Sequence, residues 1–402
     1  MATKPSDLGL DGVDLQAIVR RYFGKSVAHF TIRNASVEPF GGSPEGFLAE
    51  YYALKIRLNL NGSRLEELSL FVKVFPTSAT ALTNFVIETR CFRKETSLYE
   101  RVIPKIQECV PGEHFIPRHL LTKEDRLVVL ENVRLQGKLR LKRWRTWHAG
   151  FGAAGGEGVL PRDRREPFPG ALDRMNSWTG EAGTIRTNDI ENAIVFWCEV
   201  MRVVENDSVK LEKICAGLPG VMRKLYEYVK PSAVWRNAFS QGDLWNNNVM
   251  FKHGLGGEPV GCILVDFQLA RYTPPAYDIN LLLSLTSTNA FRSKHMNALL
   301  DHYYEVFAGH LTQNGIDPSK IYTKQSFLES CRYYRLGGQI HGCAIAPEVL
   351  LAQTYLDEIF LLSEDGFMTP SKVKICLKAF QLDVVYRERM LDCVQELLSD
   401  IV

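Results

Sequence analysis

The chain has nine cysteines but no Cys-x-x-Cys pair. An odd, scattered set without metal-ligand spacing argues against a disulfide framework or a zinc ribbon, and suits reduced thiols in a cytoplasmic protein. No apolar run is long enough to cross a bilayer. The opening residues Met1-Ala2-Thr3-Lys4-Pro5-Ser6-Asp7 lack the apolar stretch of a secretory signal. The Asn-x-Ser triplets at Asn34, Asn61 and Asn206 are therefore expected to be chance matches. Charge of one sign is also missing: 48 Lys and Arg against 46 Asp and Glu leave a net +2. Neither nucleic acid nor a membrane surface is then expected as the main partner. No obligate protein partner is evident, and there is no internal repeat, which excludes a solenoid.

At 402 residues the chain exceeds the usual size of one hydrophobic core, so two lobes are expected. Residues 10–23 carry Leu15, Ile18, Val19 and Tyr22 at helical spacing. Gly41-Gly42-Ser43-Pro44-Glu45-Gly46 reads as a turn. Residues 47–60 and 68–75 read as strands, the first ending at the hairpin signal Asn61-Gly62 and the second at Pro76. Residues 84–102 have a helical pattern, and Leu127–Leu130 is a short buried strand. From about residue 188 the pattern is mostly helical, over 188–206, 209–229, 279–287, 293–314, 324–337, 345–363 and 370–398.

Between those helices lie two segments that carry chemistry, Ser240-Gln241-Gly242-Asp243-Leu244-Trp245-Asn246-Asn247-Asn248 and Leu264-Val265-Asp266-Phe267-Gln268. An Asp, an Asn five positions on, and an Asp-Phe after a further strand form a phosphotransfer signature. Asp243 can take the proton of an attacking hydroxyl. Asn248 and Asp266 offer the hard oxygen ligands that suit Mg²⁺. Lys73 stands in the apolar strand Leu70-Phe71-Val72-Lys73-Val74-Phe75, where gripping nucleotide phosphates gives a cation a reason to be. Glu95 is its expected partner, with Glu88 as the alternative. Glu131-Asn132-Val133 reads as a hinge whose backbone would meet an adenine. Gly41, Gly42 and Gly46 could let backbone N–H groups approach phosphates. Turn, strand, lysine strand, acidic helix and hinge follow each other as in the small lobe of a kinase.

The segments 241–251 and 265–272, followed by Pro275-Ala276-Tyr277-Asp278-Ile279, resemble the ecdysteroid-kinase-like family, within the choline kinase and aminoglycoside phosphotransferase branch of the kinase fold. Phe92, Glu95, Tyr99, Ile103-Pro104 and Leu130-Glu131-Asn132 match its small-lobe pattern. The resemblance implies an α+β, bilobal protein-kinase-like fold, with a small β-rich lobe over 1–131 and a larger, mostly helical lobe over 132–402. It implies ATP and Mg²⁺ as cofactors and phosphorylation of a hydroxyl on a small lipophilic molecule, such as an ecdysteroid or a foreign compound. Asp243 would be the base, Asn248 and Asp266 the Mg²⁺ ligands, Lys73 with Glu95 the grip on ATP, and Asp278 a brace for the catalytic loop. The alternative is a weakened, nucleotide- or sterol-binding pseudokinase. A protein kinase is disfavoured because Pro274-Pro275-Ala276 follows Asp266-Phe267-Gln268 too closely for an activation loop.

Two departures stand out. Gln241 replaces the family's usual His, from which weakened rather than abolished activity is expected. Residues 138–183 are rich in Arg, Gly, Trp and Pro, with no regular period, where the family has a helix ending in a Phe-His-Ala-like motif. Gly150-x-Gly152-x-x-Gly155 has no strand before it and is no dinucleotide fingerprint. The stretch reads either as an insertion or as a frame error in the gene, since codons permitting 147–171 can, one base forward, encode that motif.

Overall fold

The computed structural model describes residues 4–40, 49–61, 64–76, 81–109, 115–123, 125–136, 138–140, 184–362 and 370–401. Most of residues 138–183, together with Gly41, Gly42 and Gly46, lies outside these. The described end of that segment, Lys138–Arg140, is a short strand rather than irregular chain.

The small lobe is built on a five-stranded antiparallel sheet. Its strands are β1 (Phe30–Pro39), β2 (Glu50–Leu60), β3 (Arg64–Val74), β4 (His119–Lys123) and β5 (Leu127–Glu131), in the spatial order β1-β2-β3-β5-β4. Strand alternation decides what each face does. Leu70, Val72 and Val74 of β3 join a core with Leu54, Ile56 and Leu58 of β2, and helix α1 (Gly12–Phe23) supplies Ile18 and Val19 to it. Phe71 and Lys73, between them, face the other way. The α1 start is fixed by a capping box: Asp11 accepts from Val13 N and Asp14 N, and Asp14 accepts from Asp11 N.

The expected helix over 84–102 is broken. Helix α2 (Ala81–Thr89) stops at Arg90, whose φ of +51° lies in the left-handed region. Helix α3 (Cys91–Ser97) then runs through a π-turn over Leu98–Val102 into α4 (Ile103–Cys109). The break turns the α3 face bearing Phe92 and Glu95 toward β3.

The larger lobe contains α5 (Thr184–Val204), α6 (Ser208–Met222), α7 (Leu225–Tyr228), α8 (Pro275–Thr286), α9 (Asn289–Gln313), α10 (Pro318–Ile321), α11 (Lys324–Val349), α12 (Gln353–Leu362), α13 (Ser371–Leu382) and α14 (Val384–Leu398). All twelve residues of α8 are buried, so it is the axis of the lobe. Helix α11 crosses it closely because Gly338 has no side chain: a Cβ there would stand 2.6 Å from the Asn280 backbone. That packing carries α11 without a break through the glycine-rich stretch where two helices were expected. Pro347 cannot bond the Cys343 carbonyl, and the Trp197 indole N–H occupies it instead at 2.8 Å. The long C-terminal helix expected over 370–398 splits at Asp383, which caps α14 by accepting from Tyr386 N.

Between α7 and α8 lie four short strands that carry the two segments singled out in the sequence. The strands β7 (Ala238–Ser240), β8 (Val249–His253), β9 (Pro259–Leu264) and β10 (Arg271–Thr273), with β6 (Lys138–Arg140), form one pair, β10-β7, and one three-stranded sheet, β6-β8-β9. The chain is thus α+β and bilobal, a protein-kinase-like fold with a small β-rich lobe and a larger helical one. Among the described residues, no helix is long and apolar enough to cross a membrane.

Candidate active site

Among the described residues, Lys73, Glu95, Asp243, Asn248 and Asp266 come together between the small-lobe sheet and the loops before α8, while Gly41, Gly42 and Gly46 lie outside the described residues. Lys73 is buried at the end of β3, where Val128 of β5 and Tyr51 of β2 are its register neighbours. Its Nζ lies 2.7 Å from Glu95 Oε2 and 2.9 Å from Asp266 Oδ1. Glu95 is therefore the helix partner; the alternative, Glu88, is exposed on the separate helix α2. The second oxygen of Glu95 accepts from Phe267 N at 3.0 Å, so one carboxylate positions both the lysine and the loop after β9. Burial pushes the Glu95 carboxyl up, to about 7, against the pull of Lys73. Burial works against the Lys73 ammonium too, but the Asp266 and Glu95 carboxylates outweigh it and hold its pKa well above the ordinary value.

Asp266 has φ +60°, unusual for a residue with a side chain, and a conformation that costs on the order of 1–3 kcal/mol. It is held from several directions. Phe267 is locked in the core, edge-on to Tyr99 and stacked on Phe239 with centroids 5.9 and 5.7 Å apart. The Asp266 carbonyl accepts from Gln241 Nε2 at 2.6 Å, and the Val265 carbonyl accepts from the same nitrogen at 3.0 Å.

The other end of the Gln241 amide faces Asp243. Its Oε1 accepts from Asp243 N at 2.7 Å. Gln241 is fully buried and ties the loop of Asp243 to the loop of Asp266. An amide suits this position because it donates and accepts at once. Sequence reading identified Gln241 only as a departure from a pattern; the bridging follows from the two loops meeting in space.

Asp278, in the first turn of α8, accepts from Gln241 N at 2.6 Å and from Gly242 N at 3.0 Å, which is the brace expected of it. Burial pushes its carboxyl up to about 7, opposed by those two N–H groups and by buried Arg271. Gly242 has φ +79°, and a Cβ there would stand 2.0 Å from the Leu269 carbonyl oxygen. Only glycine lets the two loops touch. Asn248 donates to the Asp243 carbonyl at 2.9 Å and to Asp243 Oδ2 at 3.0 Å. The Asn248 carbonyl accepts from Val265 N at 3.0 Å, which sets Asn248 beside the residue preceding Asp266.

A cleft opens beside these residues; Gln241, Asp243 and Asp278 are not among those that line it. Lys73, Glu95, Asn248 and Asp266 supply its polar wall; Phe71, Leu130, Met250 and Val265 are among its apolar lining. Phe40 and Tyr51, which no sequence signal singled out, flank Phe71 with centroids 4.9 and 5.7 Å away. Glu131, Asn132 and Val133, the stretch expected to be a hinge, line the cleft as well. The Glu131 side chain accepts from Arg118 at 3.2 Å, and its own N–H donates to the Arg118 carbonyl at 2.9 Å. Val133 opens a 3₁₀ turn (Val133–Gln136), whose first N–H groups lie outside the turn's own bonding. The residues fit a nucleotide and Mg²⁺: a fixed buried ammonium, a carboxylate and an amide on adjoining strand ends, and an apolar slot. Two protein oxygens suffice for Mg²⁺, which keeps waters and phosphate oxygens as its remaining ligands.

A model of the Ecdysteroid kinase-like family matches residues 43–148 and 173–316, more than half of the chain, and the match skips 149–172. No curated protein matches. Among solved structures, the GDP and kanamycin complex of APH(2")-IIia is 15% identical, covering 92% of this chain and 98% of its own, with a TM-score of 0.33. The microcompartment-associated aminopropanol kinase is 10% identical, covering 93% and 99%, also with a TM-score of 0.33.

Proposed function

We propose, from the premise that this chain belongs to the ecdysteroid kinase-like family, that it is an ATP-dependent kinase for a hydroxyl on a small lipophilic acceptor, such as an ecdysteroid or a xenobiotic alcohol. The observation that carries the reading is the buried Lys73–Glu95–Asp266 cluster, joined through Gln241 to the loop of Asp243. A structural ion cluster alone would not need a strained Asp266 aimed at it, nor a base one hydrogen bond from the same amide.

In this reading Lys73 grips the phosphates, with Glu95 fixing its Nζ. Asn248 and Asp266 would hold Mg²⁺, whose contribution is to neutralise charge on the transferring phosphoryl group. Asp243 accepts the proton of the acceptor hydroxyl on a carboxylate oxygen, while Asn248, donating to Oδ2, orients the carboxylate. The Val133 N–H is the hinge donor for the base of the nucleotide, and the glycines at 41, 42 and 46 would cover its phosphates. Residues 1–131 would act as the ATP-gripping lobe and 132–402 as the lobe of base and acceptor, in a cytoplasmic protein.

The test is a phosphotransfer screen with Mg·ATP over steroids, including ecdysteroids, and xenobiotic alcohols. Phosphorylated product that disappears in Asp243→Ala supports the reading. Tight Mg·ATP binding with no product on any acceptor would instead support a nucleotide- or sterol-binding protein without turnover.

A further inference from the structure

Every described cysteine is buried except Cys198 and Cys215, which are partly exposed. The mechanism above uses neither. They stand on helices that follow each other in the chain, Cys198 on α5 and Cys215 on α6. The turn between the helices spans only 205–207. Asp207 fixes it by accepting from Val209 N at 2.9 Å and from Lys210 N at 3.1 Å. Two ion pairs show that the helices run back along each other. Beside the turn, Lys210 Nζ lies 2.8 Å from Glu205 Oε2. At the far end, Arg223 donates to both Glu191 carboxylate oxygens at 2.8 Å. Glu191 and Arg223 each lie sixteen residues from Asp207; Cys198 lies nine from it and Cys215 eight. An antiparallel hairpin in that register brings the two cysteines level. Their thiols meet there, in hydrogen-bonding contact with each other. Cys343 and Cys393 are also neighbours, but both are buried, and the Cys343 thiol donates to the Cys393 carbonyl at 3.4 Å. Of the two pairs, only Cys198 and Cys215 can be reached from solvent.

We propose that Cys198 and Cys215 form a reversible redox site, at which hydrogen peroxide converts the two thiols into a disulfide joining α5 to α6. This does not rest on the kinase reading. The two sulfurs take different parts. Burial, with the hydrogen bond and charge of Cys215, pushes the Cys198 thiol up to about 11, against the pull of Arg202. Cys198 therefore stays a thiol near neutral pH, and the thiolate that attacks first is that of Cys215. Its sulfur bonds a peroxide oxygen as the O–O bond breaks. Cys215 becomes a sulfenic acid, and the hydroxide released takes up a proton as water. Cys198 then attacks the Cys215 sulfur. The S–S bond forms, the S–O bond breaks, and the Cys198 proton leaves with the hydroxyl as a second water. Two electrons pass from the sulfurs to the peroxide. A reducing thiol returns the pair by disulfide exchange.

The experiment treats the folded full chain with hydrogen peroxide, blocks the remaining thiols with N-ethylmaleimide in denaturant, and maps unreduced peptides by mass spectrometry. Wild type should give one peptide pair joined at Cys198 and Cys215, lost again after dithiothreitol, with the protein still a monomer on a non-reducing gel. Cys198→Ser removes the resolving thiol, so dimedone should trap the sulfenic acid on Cys215. Cys215→Ser should give at least about 10-fold less dimedone adduct on Cys198. Melting checks that both variants fold; if one does not, the wild-type map still decides. Wild type in which Cys198 and Cys215 stay free, or join other cysteines, overturns the site. Equal adduct in the two folded variants overturns the assigned order of attack.

Discussion

Replacing Gln241 by Leu deletes three side-chain hydrogen bonds without changing the bulk of the side chain much. The Val265 and Asp266 carbonyls lose their donor, and Asp243 N–H loses its acceptor. Each bond is worth about 1 kcal/mol net, and each buried group left unsatisfied costs about 1–3 kcal/mol. Asp266, in the left-handed region, also loses the contact that holds its peptide in place. Together these predict a loss of about 3 kcal/mol in global stability, read as a lower urea midpoint at unchanged m-value. The same change frees Asp243 and Asp266 to drift relative to each other. If about 2 kcal/mol of that coupling is expressed in the transition state, kcat falls about 30-fold. Two comparators make the reasoning specific. Gln241→His keeps one donor and one acceptor, so it should lie between wild type and Leu. Gln241→Glu brings a carboxylate against two carbonyl oxygens and should be worse than Leu. Steady-state kinetics and urea titration of all four proteins give the ranking. Gln241→Leu with wild-type stability and kcat, or Glu better than Leu, would refute the bridging role.

Gly242→Ala should cost at least about 2–3 kcal/mol, because its left-handed φ and the 2.0 Å approach to the Leu269 carbonyl leave no room for a methyl group; chemical denaturation checks this. Lys372 is buried between Asp189, 3.0 Å away, and Glu348. Lys372→Met strands the Glu348 carboxylate and should cost about 3–5 kcal/mol, with the active-site geometry untouched. The pH dependence should run in opposite directions for stability and for nucleotide binding. Glu95 and Asp278 have folded-state pKa values raised to about 7, so their contribution to stability is complete below the ordinary carboxyl range and is lost as pH rises through 7. The Lys73–Glu95 pair, in contrast, needs the ionised carboxylate. Mg·AMP-PNP affinity should therefore rise from pH 6 to pH 8 while ligand-free melting temperature declines, and a pH-independent affinity would contradict the assignment.

The two chemistry-bearing segments were legible because spacing and residue type together constrain them: Asp243, Asn248 and Asp266 sit on loops that meet, with Lys73 and Glu95 across the cleft. Regular elements with a clear period, such as α1 and β3, were legible for the same local reason. What escaped was set by contacts distant in sequence. Arg90 in a left-handed turn splits a continuous helical pattern, and Gly337-Gly338 continue one helix instead of ending it, because Tyr228 lies against the first and Asn280 against the second. Strand β1 was missed, although its Ile32 and Val37 pack on the sheet core, since Arg33, Asn34 and Glu38 interrupt any simple alternation. Gln241 stood out in the sequence only as a departure; that it bridges two loops follows from their meeting in the folded chain. The family match skips 149–172, inside the stretch whose composition departs from the rest. We propose that a frame error produced it, and the gene's nucleotide sequence decides: a shifted frame with stops, or without the Phe-His-Ala motif, rules this out.

The central claim, that Asp243 is the base of a working phosphotransferase, is tested most directly by one paired measurement. Wild type and Asp243→Asn are each given Mg·ATP and the best acceptor from the screen, and phosphorylated acceptor is quantified by mass spectrometry alongside Mg·AMP-PNP affinity. The account predicts product from wild type, a fall of at least about 100-fold in Asp243→Asn, and equal nucleotide affinity in both. Equal product from the two proteins would contradict it.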